Sequence, residues 1–204
     1  KLLTKKNGNI KKILFCSVVP AIYRIVKKSL ERKFKLKCRE IKDLNFTNFI
    51  KVLVNKKQIG SDRLANAISV IDKQKNLIIV DFGTATTFDV IRNKKYYGGV
   101  IAPGIELSLS SLTNKATLIP EVKLSRTKKI IGKNTISSVN NGFFFGYVGL
   151  IENIVKMISI ESKTKYKVIF TGGLANQFNK SLSFKPFVDR ELTLKGLLKI
   201  IRKI

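Results

Sequence analysis

Short apolar runs alternate with segments of helical period along most of the chain. Ile13, Leu14 and Phe15 form a brief apolar run behind a basic stretch, and Ser17-Val18-Val19-Pro20 turns the chain out of it. This predicts a strand over 12–17 and a helix over 20–32. Strands over 34–39 and 50–54 follow. Leu64, Ala67, Ile68 and Ile71 then fall on one helical face behind Ser61, a good N-cap, which predicts a helix over 61–72. Between 77 and 102 the pattern becomes that of strands. An apolar run over 77–80 ends in Asp81, and strands over 87–91 and 96–101 are joined by an Asn93-Lys94-Lys95 turn, an antiparallel meander. Pro103-Gly104 ends it, and a helix is expected over 105–115.

The longest periodic segment is 136–161. Ile136, Val139, Phe143, Tyr147, Ile154 and Ile158 repeat at near-helical spacing behind a cap at Asn134 or Thr135. Gly142, Gly146 and Gly149 interrupt it. Glycine costs about 1 kcal/mol inside a helix, so three of them predict that another backbone approaches closely, from a neighbouring strand or from a partner subunit. A strand over 166–171, a Gly172-Gly173 turn, a helix near 174–181 and a basic amphipathic helix over 190–203 complete the chain. There is no internal repeat. Strand-rich starts followed by helices occur twice, which indicates an α/β protein of two similar domains facing each other, with a linker near 73–76.

A length of 204 residues has room for one large domain or two small ones. The absence of histidine excludes Ser-His-Asp and Cys-His nucleophile systems, His-ligated metals and imidazole bases. Acid–base chemistry must come from Asp, Glu, Lys or Tyr. Cys16 and Cys38 make neither a metal spacing nor a disulfide framework, so a reducing compartment is the default. The net charge of +27 points towards a polyanion partner, but its distribution points away. The 40 basic residues are 32 lysines and 8 arginines, the lysines come as scattered pairs, and Trp is absent. Lys, Ile and Asn make up 73 of the 204 residues, as an AT-rich genome favours. A solvated basic surface without a specific nucleic-acid partner is therefore expected. No uninterrupted apolar run approaches the roughly 18 residues of a membrane span. The run over 13–23 reads better as strand, turn and helix than as a signal peptide.

Four segments could carry chemistry. In Gly60-Ser61-Asp62-Arg63 an acid and a base enter a helix N-terminus, whose dipole favours an ionised Asp62 and an anion nearby. Asp62 could accept a proton and Arg63 could clamp a carboxylate. The same residues would also serve as ordinary first-turn chemistry. In residues 81–89, DFGTATTFD, an acid ends a buried strand before a glycine and three threonines. These oxygens suit a hard cation, and Gly83 lets phosphate approach the backbone. Gly98-Gly99 with Pro103-Gly104, and Thr171-Gly172-Gly173, would each let a ligand close to the backbone.

In this order the segments are specific. With Ser17 to Pro20, Asn66-Ala67, Leu118-Ile119-Pro120, Gly132 to Thr135 and Gly146-Tyr147, the chain resembles the type III pantothenate kinases of the actin/hexokinase/Hsp70-like ATPase superfamily over roughly 10–200. The resemblance implies two ribonuclease-H-like domains, here 1–75 (incomplete) and 76–204, with the active site between them. It implies ATP-dependent phosphorylation of pantothenate, the first step of coenzyme A synthesis, in a cytoplasmic homodimer with no membrane partner. It makes Asp62 the catalytic base and Gly60, Ser61, Asp62, Arg63 and Thr135 the pantothenate contacts. It makes Thr84 an ATP contact and Asp81 the ligand of a potassium or ammonium ion, with magnesium arriving on ATP. Two departures stand out. Leu53-Val54-Asn55-Lys56 replaces an aromatic and a proline of the family's pocket wall. The family's opening Asp-x-Gly-Asn-Thr phosphate loop is missing, and Asn7-Gly8-Asn9 has the wrong surroundings. An N-terminally shortened chain is therefore expected to lack kinase turnover and to be poorly soluble or partly disordered over 1–60. The rivals are an accessory transcriptional regulator of the Baf type and an inactive ATPase-fold scaffold, each binding nucleic acid through the basic surface.

Overall fold

The computed structural model describes residues 10–72 and 75–204. The expected linker near 73–76 falls partly on residues 73 and 74, outside the described residues, as does the Asn7-Gly8-Asn9 segment. Two sheets form. A parallel pair, β1 (Ile13–Phe15) and β2 (Cys38–Glu40), is connected through helix α1 (Pro20–Phe34). The larger sheet holds β3 (Lys51–Val52), β4 (Asn76–Phe82), β5 (Ala85–Arg92), β6 (Lys95–Pro103), β7 (Lys167–Gly172) and β8 (Phe187–Val188), in the order β3-β6-β5-β4-β7-β8. The remaining helices are α2 (Ser61–Val70), α3 (Ile105–Lys115), α4 (Thr135–Glu161), α5 (Ala175–Phe178) and α6 (Leu192–Ile201).

β4 runs antiparallel to β5, and β5 to β6, while β7 and β8 join the other side in parallel. A meander leaving one side of a central first strand and parallel crossovers leaving the other is the arrangement expected of a ribonuclease-H-like domain. The α/β class therefore stands. The alternation of side chains along β4 assigns its two faces. Leu77 and Ile79 pack with Leu64, Ala65 and Ile68 of α2 and with Leu192 and Ile200 of α6. Ile78, Val80 and Phe82 pack with Ile105 of α3, Phe144 and Ile151 of α4, and Phe178. The same period carries Asp81 to the α2 side.

Several boundaries differ from expectation. α1 continues to Phe34 and ends on Lys35 in the left-handed region (φ 51°), so β2 begins only at Cys38. β3 is two residues long, α5 four, and the meander strands extend further than their apolar cores. Asn134 caps α4, accepting the Ser137 N–H at 2.8 Å, with the Ser137 side chain returning to the Asn134 backbone. A Cβ built on Gly142, Gly146 or Gly149 would meet nothing within 4 Å. No other backbone among the described residues approaches them, which argues against a neighbouring strand of the described chain. α4 also corrects the reading of apolar length. By length and composition it could cross a membrane, although 28% of its apolar stretch is buried. The cause is that apolar residues point outward as well as inward, with Ile136, Met157 and Ile160 exposed.

Candidate active site

The first turn of α2 carries the densest polar chemistry. Gly60, not Ser61, is the N-cap, and it makes no side-chain cap bond. Ser61 is fully buried, and its hydroxyl donates to Glu40 at the end of β2. The other Glu40 oxygen accepts the Lys42 N–H at 2.6 Å. Ser61 thus ties α2 to the small sheet. Asp62 is half-buried, and its Oδ1 accepts the Arg63 N–H at 2.8 Å. Its Oδ2 makes no hydrogen bond among the described residues. A side chain at Gly60 would strike Asp62 Oδ1, so this glycine leaves room for the carboxylate.

Arg63 turns inward to β5. Its Nε donates to Asp89 Oδ1 at 2.7 Å, and its Nη2 lies 2.7 Å from the same oxygen, with the side chain 12% exposed. The Tyr96 hydroxyl donates to Asp89 Oδ1 at 2.5 Å. Burial pushes the Asp89 carboxyl upward against the opposing pull of Arg63 and the Tyr96 hydroxyl. Burial also disfavours the Arg63 cation, but the Asp89 carboxylate beside it prevails and its pKa rises. Nη1 is the donor nitrogen left for a ligand.

Asp81 lies on the same sheet face. The Asn66 Nδ2 donates to Asp81 Oδ2 at 2.8 Å. Burial raises the Asp81 pKa; the Asn66 hydrogen bond opposes this, and the Asp62 and Asp89 carboxylates add to it. Gly172 (φ 89°) holds a backbone conformation other residues rarely adopt, and a Cβ there would come within 2.7 Å of Asp81 Oδ1. Thr87, paired with Asp81 across the ladder, has a buried hydroxyl without a partner. Cys16, just beyond β1, has its thiol pushed up to about 12 by burial and by the Asp62, Glu40 and Asp81 carboxylates.

Thr84 is exposed on the turn after β4, its carbonyl accepting the Gly104 N–H at 3.0 Å. A cleft of about 500 Å³ opens there, lined by Gly83, Thr84, Glu106, Ser110, Gly173 and Leu174 among others. Thr135 is the exposed first residue of α4, and no hydrogen bond among the described residues links it to Asp62, Arg63, Asp81 or Thr84. At the altered pocket wall Leu53 and Val54 are exposed, and Val54 Cγ1 lies against Gly98. The structure thus brings Gly60, Asp62, Arg63 and Asp81 together. It adds Glu40, Asn66, Asp89 and Tyr96, which sequence reasoning left without roles. A carboxylate inside the apolar alternation Phe88-Asp89-Val90 was the available signal for one of them.

The family model of the type III pantothenate kinases matches residues 1–157. The chain belongs to that family. The type III pantothenate kinase of Pelagibacter ubique is 53% identical over 197 residues, covering 97% of this chain and 79% of that protein. The enzyme of the same name from Citrifermentans bemidjiense is 42% identical over 191 residues, covering 93% and 75%. A solved Campylobacter jejuni structure, named for the Baf family of transcriptional activators, superposes with a TM-score of 0.64. It is 20% identical and covers 96% of this chain and 84% of that one. At that identity the likeness speaks to fold, and the regulator reading gains nothing from it. As a type III pantothenate kinase the chain is a phosphotransferase.

Proposed function

We propose that this pantothenate kinase transfers the γ-phosphoryl group of ATP to the primary hydroxyl of pantothenate, with Asp62 as the base. The observation that carries this is the unpartnered Asp62 Oδ2 at the mouth of α2, beside an arginine already locked in place by Asp89. As the hydroxyl oxygen bonds to phosphorus, its proton passes to Asp62 and the bond to the bridging oxygen of ADP breaks. Such transfers depend on positioning and charge neutralisation more than on covalent help. Arg63 contributes Nη1 towards the substrate carboxylate, with Gly60 and Ser61 shaping the segment. The cleft at Gly83, Thr84 and Gly173 receives the nucleotide, and magnesium comes with it.

No group of three or more acidic or cysteine residues able to hold a metal exists among the described residues. A monovalent cation asks less, and the Asp81 carboxylate beside the unpartnered Thr87 hydroxyl fits potassium or ammonium. Such an ion supplies positive charge near the phosphates. The outward face of α4 suits a second copy of the chain, and Thr135 opens that helix. A first part ending near residue 75 and a second beginning near residue 76 remain the proposed division, although β3 of the first pairs with β6 of the second. The scattered charge supports no specific nucleic-acid partner.

In a chain that also carries the family's Asp-x-Gly-Asn-Thr phosphate loop, Asp62→Asn should lower kcat by roughly 10²–10⁴-fold with the fold intact. Near-native turnover in that variant would remove Asp62 from the role. Replacing potassium by sodium should depress the rate of that active chain; equal rates would count against an ion at Asp81.

A further inference from the structure

The Asn66 amide, fully buried, stands between two elements that are far apart in the sequence. On one side its Nδ2 donates to Asp81 Oδ2 at 2.8 Å; on the other its Oδ1 accepts the Thr193 hydroxyl at 2.7 Å. A primary amide has a donor end and an acceptor end, and nothing in its shape tells them apart. Turned over, Asn66 would set its carbonyl oxygen against the Asp81 carboxylate. The carboxylate only accepts, so it draws the N–H end; the Thr193 hydroxyl, donating to Oδ1, holds the other end and with it the place and plane of the amide.

We propose that Thr193 is a positioning residue for Asp81, its hydroxyl holding the Asn66 amide with the N–H end towards the carboxylate. Asp81 Oδ2 is then engaged, and Oδ1 is left beside Gly172. The placement of Thr193 is itself tightly held. Three residues on, Gly196 packs on the Ala65 carbonyl so closely that no Cβ fits. Lys199 Nζ donates to the Ile68 carbonyl at 3.0 Å and to Asp72 Oδ2 at 2.5 Å. α6 is thus clamped along α2, and Thr193 reaches Asn66 from a fixed distance. Thr193 lies outside residues 1–157, the part that the family model matches. The inference rests on the reading that Asp81 serves the reaction through a cation.

The test compares Thr193→Val, which keeps the shape and loses the hydroxyl, with Thr193→Ser, which keeps the donor, and with Asp81→Asn, all in the full chain. Partners of this kind change metal affinity or activity by roughly 10–100-fold when removed. Thr193→Val should raise the potassium concentration for half-activation by about that factor. It should also weaken the potassium-dependent rise in thermal midpoint, and Thr193→Ser should restore both. In the native chain, NMR should show one Asn66 side-chain N–H shifted downfield and slow to exchange. Native potassium dependence in Thr193→Val, with Asp81→Asn inactive, would overturn the role of Thr193 and leave Asp81 standing. A fully active Asp81→Asn would overturn both. Should Thr193→Val not fold, Thr193→Ser and Thr193→Ala carry the test: loss of potassium affinity in Thr193→Ala but not in Thr193→Ser bears the proposal out, and equal affinity in both overturns it.

Discussion

A single thiol reports on the charge of the site. The Cys16 thiol is pushed up to about 12 by burial, with the Asp62, Glu40 and Asp81 carboxylates adding to it. Only the thiolate is nucleophilic. Cys16 should therefore react with iodoacetamide far more slowly than in the denatured chain. Asp62→Asn removes one of the opposing anions and should speed the reaction several-fold; unchanged rates, followed by mass spectrometry of the Cys16 peptide, would place Asp62 elsewhere. Residues of this site differ in how far the sequence reveals them. Asp81 stands out because a charge ends an apolar strand, and Asp62 and Thr84 stand out only through the motifs around them. Glu40 and Thr193 do not, because their partners lie 21 and 127 positions away and no local pattern encodes those distances.

At the scale of elements, the apolar run of β4 was readable in advance, but which of its residues face α2 was not, because 77–80 are all apolar; the pleat is what carries Asp81 to the α2 side. The meander and α4 were readable for the same reason, since each is specified by its own sequence. β2 and β3 were not well bounded, because a strand of two or three residues is set by its neighbour and not by its own pattern. The contact of α2 with α6 was also hidden, and Gly196 tests it. Gly196→Ala must push the helices apart and should cost about 1–3 kcal/mol. Thermal or urea unfolding would show it as a lowered midpoint. Gly146→Ala offers the contrast: its Cβ meets nothing within 4 Å among the described residues, so in an isolated subunit the better helix former should gain up to about 1 kcal/mol. Equal effects at the two positions would contradict the packing described.

For the whole molecule the open question of α4 is what covers its outer face. Ile136, Met157 and Ile160 are exposed there, and three glycines leave room for a close neighbour. A second copy should occupy it, giving a dimer by sedimentation equilibrium that Gly146→Leu converts to monomer. Each copy carries a net charge of +27, so the copies repel at long range and added salt should strengthen the association. A monomer at all salt concentrations, or a Gly146→Leu dimer, would direct the search to another face.

The clamp of α6 on α2 also has a bearing on how the chain acquires its activity. Asn66 and Thr193 are 127 positions apart, and Ile68 and Lys199 are 131. At ribosomal speeds of about 5–20 residues per second, the helix bearing Asp62 waits roughly 6–25 s for its partner to be made. Closing so long a loop is also slow once the partner exists. The meander, whose strands adjoin in sequence, can form well before that. A nascent chain therefore holds its meander first and its catalytic helix last, and the interval between is when the apolar flank of α2 is open to chaperones and proteases.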